Sequence, residues 1–444
     1  MANIETMEVP SFLGKIAKAW KGNEMKYFFL ATLMLLYVAA FLCGNPLEIC
    51  KGLLTIVTSR DALITDYFAL AGYGAAFFNV ALVTTMCVIL VLVEKVPFTG
   101  PTLAALFINI GYGFWGKNPV NILPILLGTY LYASLHHKHF GRYIYTALFG
   151  TCLAPFVTEM VYMLPFSTMW NLVIAVLVCV FIGFILPPLS MHTASMHMGY
   201  SLFNVGFSAG VLAFVLCCVF KAFGLESEPV LIWQTGRPLW LMVVMYAYFA
   251  ATIVTGFFLS GRKLGKVLAI CRHPGRAVAD FVLMDGPGAT LMNMGLVGII
   301  GLTYILLIGG DLSGPVLGAI FMAFGFASFG VHMRNYLPVL AGVVIFSLIS
   351  NHNVVDPGIQ LAALFALGLA PIAGQFGVIP GIISGMLHSA VVMCTSDMYG
   401  GLNLYNNGFS AGWVAIFMVP TIESFMNHFE TRKHQRKKKE RENK

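Results

Sequence analysis

Long apolar stretches constrain this chain more than any other feature of its sequence. Stretches of about 17 to 25 residues, the length that a helix needs to cross the hydrocarbon core of a bilayer, recur from Tyr27 almost to the end of the chain. Of the residues, 58% are apolar and 10% are charged, and the mean hydropathy is +0.82, whereas about a quarter of the residues of soluble proteins are charged. The sequence therefore predicts an all-α, polytopic integral membrane protein.

The apolar pattern predicts fourteen hydrophobic segments, seven in each half of the chain. The N-terminus carries Glu5 and Glu8 and lacks the basic start of a secretory signal, so we expect the first segment to act as its own insertion signal. The predicted segments are 27–44, 75–93, 101–116, 119–135, 142–164, 170–187 and 201–221, then 236–260, 287–309, 314–330, 335–350, 358–374, 378–394 and 407–426.

The chain contains an internal duplication. Shifted by 214 residues, "TGPTLAALFINIG" at Thr99 aligns with "SGPVLGAIFMAFG" at Ser313, and twelve of the twenty-nine positions from Gly100 to Gly128 agree. Further along, an extra loop near 163–170 in the first copy reduces the offset to 202, and "FNVGFSAG" at Phe203 aligns with "YNNGFSAG" at Tyr405. We therefore predict membrane repeat 1 over 25–222 and membrane repeat 2 over 236–427.

The odd number of segments in each copy predicts that the second copy enters the membrane upside down. The distribution of basic residues favours the same arrangement, because the loop after the first segment of copy 1 is charge-balanced, whereas its counterpart at 262–276 carries five Lys and Arg residues. Both termini and the 262–276 loop are then cytoplasmic, in the cell membrane. Broken or re-entrant helices would change the parity, and a parallel arrangement of the copies is then the alternative.

Two peripheral segments are rich in charged residues. Residues 1–24 have apolar residues on one helical face and lysines on the other, which is typical of a cytoplasmic helix lying in the membrane interface. Residues 428–444 form a basic cytoplasmic tail that favours anionic lipid. The expected partners are the lipid bilayer, a small polar solute and, as an open option, a second copy of the chain; we do not expect nucleic acid.

Asparagine recurs at related positions inside the apolar segments. A carboxamide is costly in hydrocarbon unless it meets another helix or a wet path. These residues either join helices or line a polar translocation path, and we predict the path: Asn204, Asn406, Asn79 and Asn293, with Ser208 and Ser410 beside the first two.

Acidic and histidine side chains supply further candidates. Asp66 and Asp280 are equivalent and precede glycine-interrupted segments; they are either helix caps or ion-coupling groups. Glu159 and Asp397 are candidate coupling sites for protons or ions. His192 and His197 precede the Asn204 segment and are candidate gate residues. The spacing predicts no metal site and no cofactor.

Two family resemblances follow from particular stretches. The order "GNPLEICKGLL", "ALAGYGAAFFNVALV" and "LPILLGTYLYASL" distantly resembles the urea transporters, although the segment after Leu123-Pro124 lacks their Thr-Pro-Phe and copy 2 lacks the Asn-Pro motif. The whole-chain organisation is similar to a clostridial-type family of polytopic proteins known only as a domain of unknown function (family fifteen seventy-six). That resemblance implies no activity.

Three functions are compatible with these features. We predict a transporter that moves a small polar solute through a path at the interface of two inverted repeats, with H⁺ or Na⁺ coupling left open. A passive channel of the urea or ammonium type shares the same architecture. A membrane-embedded enzyme is the third option, but it needs a nucleophile–base pair or a metal set that the sequence does not supply, so we expect the protein not to be an enzyme.

Overall fold

The computed structural model describes residues 22–61, 63–227 and 229–442, with side chains described as far as 395 and again over 398–428. The predicted interfacial helix therefore lies almost entirely outside the described residues. The same holds for the side chain of Asp397 and for the side chains of the basic tail after residue 428.

The order of helices in the first half of the chain recurs in the second half. The first half contains helices at Glu24–Cys43, Pro46–Thr58, Tyr67–Val93, Gly100–Tyr112, Leu123–Leu135, Ile144–Gly150, Pro155–Met163, Thr168–Met196 and Asn204–Ala222. The second half contains helices at Leu239–Leu259, Gly265–Ile270, Phe281–Met284, Pro287–Leu307, Gly314–Phe326, Met333–Ile349, Pro357–Phe365, Ala370–Phe376, Val378–Met398 and Asn406–Glu442. Short 3₁₀ turns at Phe140–Tyr143, Thr151–Leu153 and Ala366–Leu369 connect some of them.

Ten helices in the described part of the chain are long and apolar enough to cross a membrane by length and composition, five in each half. The protein is therefore a multi-pass helical membrane protein. Ten of the fourteen predicted segments overlap these spans, two of which, 140–163 and 357–376, consist of short helices joined by 3₁₀ turns. The other four segments overlap shorter helices: Gly100–Tyr112, Leu123–Leu135, Gly314–Phe326 and Met333–Ile349.

The helices of the two halves break at one equivalent glycine. Gly72 has φ +81° inside the helix Tyr67–Val93, and Gly286 has φ +87° immediately before the helix Pro287–Leu307. Only glycine adopts this conformation without steric cost. The glycine-rich stretches that the sequence marked as too irregular for a straight span are therefore places where the helix axis is interrupted.

Two short, almost fully buried helices, one from each half, pack against each other. Every residue of Gly314–Phe326 and all but Pro101 in Gly100–Tyr112 are buried, and these helices pack directly against each other. At the crossing, a Cβ atom on Gly111 would lie 2.5 Å from the carbonyl oxygen of Gly318. Because both are glycine, the backbones of the two halves come into contact there.

One small element departs from the predicted all-α fold. Residues Leu63–Thr65 and Val230–Ile232 form two short parallel strands, in which Leu63 pairs with Val230. This pair ties the segment before Asp66 to the segment that joins the two halves.

Candidate functional site

Asp66 and Asp280 are helix caps that also connect the two halves. Asp66 Oδ1 accepts from the Phe68 amide at 2.8 Å, and its Oδ2 accepts at 3.0 Å from the amides of Gln234 and Gly314. In the reciprocal position, Asp280 Oδ1 accepts from the amide of Gly100 at 3.0 Å and from two amides of its own helix. Each carboxylate therefore caps a short central helix of the other half, so the cap interpretation is the one that the geometry displays.

Asn79 and Asn293 hold a loop in each half. The amide nitrogen of Asn79 donates to the carbonyls of Gly113 and Lys117 at 2.7 and 2.8 Å. That of Asn293 donates to the equivalent carbonyls of Ala327 and Val331, both at 2.7 Å. Both side chains are buried. Their donors therefore satisfy backbone carbonyls that follow a short central helix.

Asn204 lies at the start of its helix in a polar cluster. Its Oδ1 lies 3.0 Å from His197 Nε2 and accepts from the Thr193 hydroxyl at 3.1 Å, while its Nδ2 donates to the Ser190 carbonyl at 2.9 Å. Ser208 joins the cluster, since its hydroxyl is 2.6 Å from that of Thr193. The structure thus brings three predicted residues, Asn204, Ser208 and His197, into one site.

The second copy of the motif is bonded differently. Asn407, and not Asn406, meets a histidine, with Oδ1 3.1 Å from Nε2 of the buried His388. Ser410 donates to the carbonyl of the same histidine at 2.9 Å. The Oδ1 of Asn406 is buried, with no hydrogen-bond partner among the described residues. The two copies of the motif therefore differ in their hydrogen bonds, although Asn204 and Asn406 are aligned.

The two motif helices meet at their glycines. A Cβ atom on Gly206 would lie 3.3 Å from the Cα of Gly408, and one on Gly412 would lie 2.2 Å from the ring of Phe207. The repeated Gly-Phe-Ser-Ala-Gly run thus provides a close helix–helix contact, and each asparagine sits at the start of its helix next to that contact.

A cavity of about 490 Å³ lies beside this crossing. Its lining combines residues from both halves and includes His197, Ser201, Asn204, Val278, Phe329 and Tyr405. No Asp, Glu, Lys or Arg side chain is part of this lining. The cavity is therefore neutral and partly polar, and the Asn204 cluster forms part of its wall.

The remaining predicted residues lie elsewhere. Glu159 is fully buried and forms an ion pair with the part-exposed Arg60, whose Nη2 lies 2.7 Å from Oε2; Ser227 donates to the same oxygen at 3.2 Å. His192 lies on an exposed position of its helix and does not line the cavity, unlike His197. Among the described residues, no group of three or more His, Cys, Asp or Glu side chains is placed to hold a metal ion.

The sequence analysis missed Lys117, which is fully buried. Its ammonium donates to Asn109 Oδ1 at 3.0 Å, to the Thr151 hydroxyl at 2.8 Å and to the Tyr405 hydroxyl at 3.3 Å. It also lies 5.4 Å from the centre of the Tyr112 ring. The repeat contained a signal for it, because a lysine at this position faces Val331 in the second copy.

A second buried polar cluster surrounds Asp61. This carboxyl is fully buried and accepts from the Tyr67 hydroxyl at 2.8 Å and from Asn121 and Thr158 at 3.2 Å. Burial raises the pKa of Asp61 to about 7, although these hydrogen bonds act in the opposite direction. Its counterpart in the second copy is Gly275, so this cluster is also confined to the first half.

The fold and the site define a polytopic helical membrane protein with a neutral, partly polar cavity where its two halves meet. The chain belongs to the family described as "Protein of unknown function (DUF1576)", whose model matches residues 45–222 and 244–424. This confirms the resemblance to a family known only as a domain of unknown function, and the matched ranges coincide with the two copies. No curated protein and no solved structure matches the chain.

Proposed function

We propose that the protein is a transporter that moves a small polar solute across the cell membrane, along a path between two inverted repeats. The observation that supports it best is the cavity of about 490 Å³ between the halves, whose wall includes the Asn204 cluster and the Tyr405 ring. A concave, partly polar site of this size is typical of a binding site for a small molecule. Its position where the repeats meet is typical of a transporter.

The inverted arrangement is part of this proposal. Among the described residues, the structure has five candidate spans in each half, and the sequence predicts seven segments in each. Both numbers are odd, so the second half enters the membrane from the opposite side. With both termini cytoplasmic, the segments 197–203 and 260–286 are cytoplasmic as well. The cavity of about 490 Å³, called the main cavity below, is lined in part by Gly199 and Ala277 and then opens to the cytoplasm.

A second cavity supports a continuous path. It measures about 220 Å³ and is lined by Leu225, Ser227, Tyr399 and Leu402, which lie on the outer side in the same topology. The stretch from Leu402 to Tyr405 separates the two cavities. A rearrangement of this stretch against the Phe203 segment would open the path alternately to each side.

Flux through purified protein in liposomes tests the proposal. A panel of urea, ammonium, glycine and short carboxylates is offered, and uptake above that of empty liposomes is measured. Ala194 lines the cavity, so Ala194→Trp fills part of it and is expected to abolish the flux. Leu177→Trp is the matched control and retains the flux, because this side chain is 63% exposed on the surface of its helix and does not line the cavity. Absence of flux for every solute, or full flux in Ala194→Trp, contradicts the proposal.

The same liposomes separate a coupled transporter from a passive channel. Uptake that accelerates under an imposed pH or sodium gradient indicates coupling, whereas uptake that follows only the gradient of the solute indicates a channel of the urea or ammonium type. We favour transport over catalysis because neither hydroxyl of the Asn204 cluster bonds to His197: those of Thr193 and Ser208 bond to each other, and His197 Nε2 meets Asn204 Oδ1.

A further inference from the structure

The charge of Lys117 has no counter-ion in its surroundings. Among the described side chains, no carboxylate lies within 4.0 Å of its ammonium, and its three hydrogen-bond acceptors are the neutral groups of Asn109, Thr151 and Tyr405. An isolated ammonium in a buried membrane site is costly, and ionisable residues in such places are usually functional.

The fold does not require this ammonium. In the second copy the equivalent loop is held in the same way by Asn293, yet Lys117 corresponds there to Val331. The acceptors have also been replaced by apolar residues, since Asn109, Thr151 and Tyr405 correspond to Ala323, Leu367 and Phe203. The symmetric asparagines and aspartates thus build the scaffold, whereas the ammonium and its shell were added to one copy only.

Two further buried hydrogen-bond donors lack acceptors, on residues two positions before Lys117 and two positions before Tyr405. The indole N–H of the buried Trp115 has no partner among the described residues, and the Trp115 ring packs 4.9 Å from the Tyr112 ring that lies against the ammonium. The amide nitrogen of Asn403 is buried and equally unpartnered, while its oxygen accepts from the Tyr405 amide at 3.0 Å. Asn79 has an unpartnered oxygen, but its amide contacts the backbone carbonyl of Lys117 and not the ammonium.

Access to this region comes from the main cavity. Tyr405 contributes to the cavity wall and also contacts the Lys117 ammonium, so the ring separates the two. A narrow gap of about 10 Å³ lies beside this ring, between Tyr112, Tyr405 and Asn407. At the other end of the cavity, the Arg276 guanidinium lies 4.6 Å from the centre of the Tyr200 ring, next to the cavity-lining Ala277. Positive charge therefore lies beyond both ends of a neutral cavity.

We propose that Lys117, with the N–H groups of Trp115 and Asn403, forms a binding site for a small monovalent anion, and that this anion is the solute. The inference rests on the proposed transport function and specifies its substrate class. The anion supplies the counter-charge that Lys117 lacks and accepts from the unpartnered donors, because charge-assisted hydrogen bonds are the strongest available in such a site. Rotation of Tyr405 connects the site to the main cavity and releases the ammonium N–H that its hydroxyl accepts from, so that the anion accepts from that N–H instead.

Binding to the detergent-purified protein tests this without any flux measurement. Sodium formate, acetate, nitrate and chloride are titrated at constant ionic strength against the bulky gluconate, and the apparent melting temperature is recorded. At least one small anion is expected to stabilise the protein saturably, since a ligand of the native state raises its melting temperature. Lys117→Met is expected to weaken the apparent affinity about tenfold or more, and Lys51→Met, at an exposed lysine, leaves it unchanged.

Each result decides the matter. Equal effects of small anions and gluconate on the wild type, or an unchanged affinity in Lys117→Met, overturn the site. If Lys117→Met does not fold, Trp115→Phe removes a single N–H and keeps most of the ring, and an affinity that does not fall in this variant overturns the site equally. Anion binding without flux leaves the site intact and refutes transport, whereas flux of a neutral solute without anion binding does the reverse.

Discussion

Replacing Asp66 or Asp280 by asparagine distinguishes the cap hypothesis from the ion-coupling hypothesis, because the two carboxylates use their oxygens differently. Asp280 presents one oxygen, Oδ1, to all three of its amide donors. Asp66 divides its donors, with Phe68 on Oδ1 and both Gln234 and Gly314 on Oδ2. Asparagine has only one acceptor oxygen. Asp280→Asn can therefore keep every hydrogen bond, whereas Asp66→Asn loses at least one.

The expected difference follows from these contacts. Both substitutions remove the negative charge, so that loss is common to the two variants. In Asp66→Asn, one or two amides additionally face an NH₂ group without an acceptor, and an unsatisfied buried donor costs about 1–3 kcal/mol. Asp66 is fully buried, so water does not replace the lost acceptor. We expect Asp66→Asn to be less stable than Asp280→Asn by about 1–3 kcal/mol or more.

The measurement is the free energy of unfolding, obtained by titrating each variant from mild detergent into SDS, alongside flux per folded molecule in liposomes. A cap predicts the stability difference together with normal flux in the folded fraction. An ion-coupling carboxylate predicts the opposite, with wild-type stability and loss of gradient-driven uptake. Equal stability of the two variants, or a less stable Asp280→Asn, refutes the cap geometry.

Two further predictions concern packing and pH. Gly111→Ala should lower the free energy of unfolding by about 1–3 kcal/mol, because the added methyl group overpacks against Gly318. Gly265→Ala should have little effect in the same SDS titration, because a Cβ atom there meets nothing within 4 Å. Equal losses of stability in the two variants contradict the close crossing. Burial raises the pKa of Asp61 to about 7 from its ordinary value of 3.8, so the folded state holds a proton that the unfolded chain has released, and stability should fall as the pH rises through about 4 to about 7. The melting temperature, measured across this pH range, should change less with pH in Asp61→Asn than in the wild type. The same pH dependence in both proteins counts against the raised pKa.

Much of the architecture follows from local sequence patterns. The length and hydropathy of the apolar segments predict a polytopic helical membrane protein, and the part of the chain that the structure describes contains ten helices of suitable length. The duplication identified equivalent residues, and the equivalence of Asp66 with Asp280 and of Asn79 with Asn293 is visible in their matching hydrogen bonds. The inverted orientation and the number of crossings remain predictions of parity and charge.

The roles of individual polar residues depended on the tertiary structure. The sequence could not choose between a cap and a coupling group for Asp66, because the amide of Gly314 that it binds lies 248 residues away. It also could not show that Asn407 contacts a histidine in the second copy of the motif, since the rotation of a helix about its axis is decided by packing.

Lys117 shows the limit most clearly. Within "FWGKNPVN", a lysine between two apolar segments resembles an ordinary loop residue, and only Tyr405, 288 positions later, completes the shell that buries it. Hydropathy and periodicity are properties of neighbouring residues, so the sequence determines the class of protein and its repeats. Burial and hydrogen bonding of a polar side chain are set by distant segments, and only the packed structure decides which charge is left without a partner.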